Sequence, residues 1–570
     1  MKQSFAILIF LCCSMAVMAV PARKGVRILR QPDGGTIEAY KQGDEVCHFY
    51  TDREGYELRR DADGRWQRME LLTDERVRLR RAASPRTHRP TASRSPQASF
   101  ATKGLVILTQ FKDVKFGLHN TKQAFDSLLN GSSYMYNSAT GSVKQYYEAQ
   151  SAGMFSPTFV LYGPVTLKDS MRVYGGNDAN GYDVGVGLMV KEACELVHAT
   201  YGIDLSEFDA DGDGYVDFVD VLYAGYGEAD SDEENAVWPC EWELAASEVG
   251  SVLVLGEGSS QRTINHFSCH QELDGFGKQK GKRAGIGTAC HEFGHVFGLP
   301  DLYDTNYKNA TLGDWDVMDS GAYNNDGRTP PGFSGYERFF AGWLTPRVLT
   351  SEESVTLHEL QASREVLLVS ETGVHNLNGT NPLPKTFYLL ENRQKTGWDA
   401  YLPGHGLLLW KIQYNSSWWQ QNTVNNRVVA NQGVALMAAD GAVYSVKRNG
   451  QIITYGDDGD TYPGAKLVTT CNMFDKYKAT DIEETEGNIS FLFSVSSTPT
   501  EVIASDELSF RSEKGAIIVS GIEQPAELTI FNALGQLVWH RTIAGGARVD
   551  LPTGVYVVRV GQMRKKVVVE

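Results

Sequence analysis

His291 and His295 stand four residues apart, with Glu292 directly after the first and Gly298 and Asp301 at three-residue intervals beyond. That pattern leaves the chain few ways to fold near residue 290. Residues four apart on an α-helix share a face, so both imidazoles can reach one ion. The apolar spacing predicts a helix over 283–298. Gly298 then lets the backbone leave through a left-handed turn, which brings Asp301 back toward the same point. Imidazole nitrogen and carboxylate oxygen are donors that zinc accepts, and catalytic zinc takes three protein ligands while keeping one position open. A carboxylate beside such an ion is placed to take a proton from a water attacking a carbonyl. The spacing therefore predicts Zn2+ on His291, His295 and Asp301, with Glu292 as general base. Asp304 competes with Asp301 for the third place.

Downstream, Trp315-Asp316-Val317-Met318-Asp319-Ser320-Gly321 falls where a methionine floor beneath three ligands would lie. Tyr323 follows and is a candidate donor to a developing oxyanion. The extended string resembles the metzincin layout, whose third ligand is usually His rather than Asp. The run His291 to Asp304, HEFGHVFGLPDLYD, with Gly285-Ile286-Gly287 before it and Trp315 to Gly321 after it, resembles the immune inhibitor A family of secreted bacterial metallopeptidases. Leu389-Leu390-Glu391-Asn392-Arg393 with Trp398-Asp399 resembles that family's β section. Gln31-Pro32-Asp33-Gly34 with Gly43-Asp44-Glu45 resembles its pro-region. The likeness covers about residues 20–495 and implies a zinc endopeptidase made as a zymogen, acting on protein or peptide substrates.

The segment Asp209-Ala210-Asp211-Gly212-Asp213-Gly214-Tyr215-Val216-Asp217-Phe218-Val219-Asp220 matches a calcium-binding loop. Asp209, Asp211, Asp213, Asp217 and Asp220 supply carboxylates, Tyr215 a backbone carbonyl, and Gly212 the sharp turn. A strand follows instead of a second helix, which predicts a structural Ca2+ site. Asp457-Asp458-Gly459-Asp460 is a second candidate, or a plain turn. A Cys47 thiolate in the pro-region is a candidate plug for the open zinc position. The competing readings are a buried structural cysteine, with an Asp or Glu of the pro-region as the plug. A Cys240–Cys269 bridge is open, as are buried free thiols.

The chain's organisation follows from shifts in composition. Met1 to Ala19 reads as a signal peptide, a basic start followed by an apolar run too short to span a membrane. Residues 20–75 read as a β-rich pro-region. Residues 76–99 hold seven arginines and no acidic residue after Glu75, and predict an exposed basic linker and activation site. Residues 100–350 read as an α/β catalytic domain and 351–497 as a β-rich extension. Residues 500–570 resemble the β-sandwich sorting domain of type IX secretion cargo, which implies that machinery as a partner and a secreted or cell-surface location. The fold class is thus α+β, a metzincin-like peptidase domain with β-rich pro-region, extension and C-terminal sandwich. No transmembrane helix is expected in the mature protein. The net charge of −16 argues against nucleic acid, whose phosphates need a basic surface. Two other functions fit parts of this pattern, a non-catalytic surface adhesin retaining the fold and a zinc hydrolase acting on something other than peptides. Glu292 speaks against the first, since an adhesin needs no base.

Overall fold

The computed structural model describes residues 19–83, 102–117, 121–178, 184–448, 451–495, 509–533, 536–560 and 563–569. The signal peptide lies outside the described residues apart from Ala19, as do 84–99 of the basic linker. The chain forms two compact units, residues 1–494 and 495–570.

The first unit begins with an antiparallel meander of β1 (Arg27–Arg30), β2 (Thr36–Gly43), β3 (His48–Thr51), β4 (Tyr56–Arg60) and β5 (Trp66–Leu71). Its turns are those the glycines predict, with Gly34 at φ 89° and Gly64 at φ 78°. Leu29, Ala39, Tyr50, Leu58 and Trp66 close a small core. The expected exposed linker is corrected at its start. Residues 74–83 form helix α1 (Asp74–Ala83), which buries Val77. Arg80 pairs with Glu57 at 2.7 Å and Arg81 with Asp44 at 2.6 Å. The meander supplies the acids that the segment lacks, so its arginines dock.

The second part is built on β6 (Lys103–Gln110), α2 (Thr121–Asn130), α3 (Val143–Ser151), β7 (Thr158–Thr166), α4 (Met171–Gly175), α5 (Val186–Tyr201), β8 (Val219–Tyr226), β9 (Cys240–Glu243), the hairpin β10 (Leu253–Leu255) with β11 (Arg262–Ile264), and β12 (His266–Leu273). The main sheet runs β7-β6-β8-β12-β9. All of its pairs are parallel except the edge strand β9, which pairs antiparallel with β12. Buried apolar runs in β6 and β8 suit a parallel sheet covered on both faces. Helix α6 (Gly287–His295) carries the paired histidines and is buried at every residue. Phe293 anchors it, with Phe218 and Tyr147 packed edge-on at ring distances of 4.6 and 4.9 Å.

After residue 350 strands dominate, with short helices at Leu360–Ser363 and Ser416–Gln420. Strands Arg347–Val348, Leu367–Val369, Thr386–Arg393, Gly406–Gln413 and Val434–Leu436 form one sheet. A second joins Glu353–Leu357, Asn488–Val495, Tyr477–Thr485 and Cys471–Met473. Arg393 ties this section to the first. Its buried guanidinium donates to both carboxylate oxygens of Asp399, at 2.7 and 2.5 Å, to Glu391 at 3.1 Å and to the carbonyl of Gly332 at 2.8 Å. Removing one partner of such a group strands a buried charge. Asp399→Ala is therefore expected to lower stability by about 3–5 kcal/mol, read from the denaturant midpoint. A loss below about 1 kcal/mol, the ceiling for an exposed pair, would count against this bridging role.

In the second unit, strands Ser509–Glu513, Ala516–Asn532, Leu537–Asp550, Gly554–Val560 and Met563–Val569 link into one hydrogen-bonded network. They enclose Ile517, Val519, Leu528, Ile530, Val558 and Val560. Residues 516–520 and 527–531 belong to one long strand, Ala516–Asn532, with register shifts between them.

Candidate active site

Helix α6 places His291 and His295 with their rings 4.8 Å apart and nearly perpendicular. The Nδ1–H of His291 donates to the Val317 carbonyl at 2.7 Å, and that of His295 to the Leu299 carbonyl at 2.7 Å. Both Nε2 atoms are thereby turned inward as acceptors. Gly298 ends the helix at φ 77°, and its N–H returns to the His295 carbonyl. The chain then brings Asp301 Oδ1 to 3.0 Å from His291 Nε2 and 3.6 Å from His295 Nε2.

These three atoms and Glu292 Oε2 are buried and have no hydrogen-bond partner. Orphaned buried polar atoms are costly, and their convergence fits a metal ion. The two spacings to Asp301 suit donors that share one ion at bonds of about 2.0–2.2 Å, and ligand atoms of His291, Glu292 and His295 lie within 4.8 Å of one another. Burial pushes His295 below its usual value, favouring the neutral imidazole that ligates. Burial, then neighbouring Cys240, pushes Glu292 well above the carboxylate range.

Beneath the site lies Met318, fully buried, its sulfur so close to α6 that a Cβ at Gly294 would sit 2.8 Å from it. The turn carrying it is fixed by Asp316, which accepts from the Met318 N–H, and by Asp319, which accepts from the Thr311 hydroxyl and the Leu312 and Gly313 N–H groups.

Asp304 is not in the cluster. Its carboxylate accepts from the N–H groups of Asn306, Lys308 and Asn309 and from the Asn309 side chain, closing a local turn. Asp301 is held from afar by Asn422, which accepts from its N–H at 2.7 Å and donates to Oδ2 at 2.6 Å. Nothing local in the sequence marks Asn422.

A peptide segment crosses the site. Ala19 and Val20 are fully buried. Tyr303 donates to the Ala19 carbonyl at 2.8 Å, and the Val20 N–H donates to Glu292 Oε1 at 3.1 Å. The Trp238 indole donates to the Val20 carbonyl at 3.1 Å, and Tyr323 donates to the Pro21 carbonyl at 2.8 Å. Trp238 and Tyr303 went unremarked in the sequence because only this long-range docking gives them a role.

Cys47 is not at the metal cluster. It lies with Phe49, Leu72 and Val77, and burial pushes its thiol up to about 11. Glu45, also of the pro-region, is buried, and its burial, then the Asp44 and Asp301 carboxylates, pushes its carboxyl well above the usual range. Cys240 and Cys269 are cross-strand partners with sulfurs 4.0 Å apart, and both are free thiols.

In the acidic loop, Asp209, Asp211 and Asp217 bring ligand atoms within 4.8 Å of one another. Asp213 turns to the Tyr215 N–H, and Arg262 pairs with Asp209 at 2.6 Å. Asp220 departs from the expected set. It has entered β8, where its Oδ1 meets Ser268 and His270 of β12. The strand that replaces a helix here carries the twelfth loop position away. Asp457 and Asp460 form a turn, with Asp460 accepting from the Trp315 indole.

A buried helix offering two imidazoles, an adjacent carboxylate and a returning third carboxylate, with a peptide lying across them, defines a metal-dependent peptidase site. Residues 102–343 match the catalytic domain of immune inhibitor A peptidase M6. Over this α/β part the chain is thus similar to a metallopeptidase catalytic domain set in a mixed α+β fold. It is 28% identical over 279 residues to immune inhibitor A of Bacillus thuringiensis subsp. alesti, covering 42% of this chain and 39% of that protein. It is 25% identical over 252 residues to the pre-pro-metalloprotease PrtV of Vibrio cholerae serotype O1 (strain M66-2), covering 40% of this chain and 27% of that protein. The chain therefore spans well under half the length of these relatives. No helix among the described residues is long and apolar enough to cross a membrane.

Proposed function

We propose that this chain is a secreted, zinc-dependent endopeptidase made as a zymogen, hydrolysing peptide bonds of extracellular proteins. The observation that carries this reading is the convergence of His291, His295 and Asp301 around one buried point beside Glu292, with a peptide backbone already lying there. A bound Zn2+ supplies Lewis acidity toward water and the scissile carbonyl. His291, His295 and Asp301 hold it, and the Val317 and Leu299 carbonyls fix the two rings. Glu292 takes the proton of the attacking water and returns it to the leaving amine. The Val20 nitrogen, which donates to Glu292 Oε1, supports that role by standing where such an amine would be received. Tyr323 donates to the Pro21 carbonyl, one residue beyond the Val20 carbonyl that Trp238 holds, so it orients the chain past the leaving amine, and Tyr303, on the Ala19 carbonyl, lies nearer the reacting group.

Latency follows from the same contacts. Residues 20–24 lie across the cleft, and no substrate can share it. Cleavage within 76–99 separates this plug from the enzyme. The layout is metzincin-like, with Met318 as its floor. The loop at 209–217 holds a structural Ca2+, its carboxylates otherwise repelling one another. The tail unit acts as a β-sandwich sorting module for type IX export to the surface.

The intact chain is expected to leave casein uncut. Limited trypsin digestion brings activity up, a zinc chelator removes it, and added Zn2+ restores it. Equal activity before and after digestion would sink the zymogen reading. Absence of cleavage with zinc bound would sink the endopeptidase reading.

A further inference from the structure

Arg23 follows three residues after Val20 in the segment that crosses the site. Its N–H donates to the Ala229 carbonyl at 2.9 Å, so the backbone is still held to the catalytic part there. The side chain is 7% exposed and enters a pocket of three carboxylates. Its guanidinium meets Asp274 at 2.9 Å, Asp326 at 2.5 Å and Asp230 at 3.9 Å. The rings of Phe276 and Tyr323 flank it at 5.3 and 5.7 Å. Burial alone weakens the Arg23 charge, and Asp274 leads the carboxylates that more than offset it. The pocket is built for more than one contact. Asp230 is 2% exposed, and its Oδ1 is buried with no hydrogen-bond partner. Once the pro-region leaves, the neighbouring carboxylates of Asp230 and Asp274 lack the guanidinium that bridges them.

The register of the segment gives the pocket a place in a substrate. Val20 presents its nitrogen to Glu292, the position of the leaving amine, so residues from Val20 onward follow the course of the C-terminal product. Arg23 is then the fourth residue past the scissile bond. We propose that the pocket of Asp230, Asp274 and Asp326 is the recognition subsite for an arginine or lysine side chain at that fourth position of protein substrates. This rests on the endopeptidase reading above. The neighbouring contacts have the same sign. Lys24 meets Asp314 at 2.8 Å, and Lys41 meets Glu228 at 3.0 Å. The face that the pro-region covers is acidic, and a basic chain is what it attracts.

Two measurements test the proposal. First, the full chain is loaded with Zn2+, activated by trypsin, and given a peptide library after the trypsin is inhibited. Cleaved peptides are expected to be enriched roughly tenfold or more in Arg or Lys at the fourth position after the cut, as charged hydrogen bonds warrant. Asp274→Asn is expected to shrink that enrichment several-fold. Second, the same preparation carrying Glu292→Ala is titrated with labelled Val-Pro-Ala-Arg-Lys and Val-Pro-Ala-Gln-Lys. The arginine peptide is expected to bind roughly tenfold tighter, and Asp274→Asn to narrow the gap. Cleavage that depends on Glu292 but has no basic preference at that position overturns the subsite, as does equal binding of the two peptides. Selective binding without any cleavage overturns the endopeptidase reading and leaves the subsite standing as a peptide-binding pocket.

Discussion

Glu292→Ala is expected to lower peptide hydrolysis by about 10²–10⁴-fold, the range that a positioned general base contributes, while the protein keeps its zinc. The reason is the division of labour within α6. The inward-facing donors are His291 Nε2, His295 Nε2 and Asp301 Oδ1, and Glu292 instead meets the peptide nitrogen of Val20. Removing its carboxylate leaves the three donors and their outer hydrogen bonds in place. Rates on casein and metal content by mass spectrometry, taken together, separate the base from the ligands. If the variant cuts casein as fast as the parent, the assignment of Glu292 fails. If it loses zinc, Glu292 belongs to the shell and the mechanism must be redrawn.

The second large effect distinguishes two neighbouring aspartates. Asp301→Ala is expected to lose zinc outright, because it deletes one of three protein donors. Asp304→Ala is expected to keep zinc and lose about 1–3 kcal/mol of stability, since four donors then lack their acceptor. Asn422→Ala should fall between them. It touches no metal, but it holds both the N–H and the carboxylate of Asp301. Loss of such an outer partner typically costs about 10–100-fold in metal affinity. Chelator competition on the three variants ranks them, and zinc lost from Asp304→Ala but retained by Asp301→Ala would reverse the assignment.

Much of the site was legible because helical spacing is local. Two histidines at i and i+4, with a glycine three residues on, already dictate a shared face and a left-handed exit, and Gly298 has the φ that this demands. The core strands β6 and β8 carry a similarly local signal, since each is a short apolar run buried along nearly its whole length. The acidic loop was legible only in part. Its carboxylate spacing matches a twelve-position calcium loop followed by a strand, and that strand, β8, carries Asp220 elsewhere. The basic stretch after residue 75 was misjudged at its start, since composition counts charges but does not reveal that Glu57 and Asp44 lie within reach.

What the sequence determined by itself was the chemistry, the two imidazoles, the base and a carboxylate at the right interval, because one turn of helix and one glycine fix their relation. What only the tertiary structure decided was how that chemistry is completed and covered. Asn422 reaches Asp301 across 121 residues, and Val20 reaches Glu292 across 272. Contacts of that span depend on where whole sheets and loops pack, and no periodicity along the chain encodes them. For the same reason, nothing along the chain marks Arg23, which the fold sets among Asp230, Asp274 and Asp326.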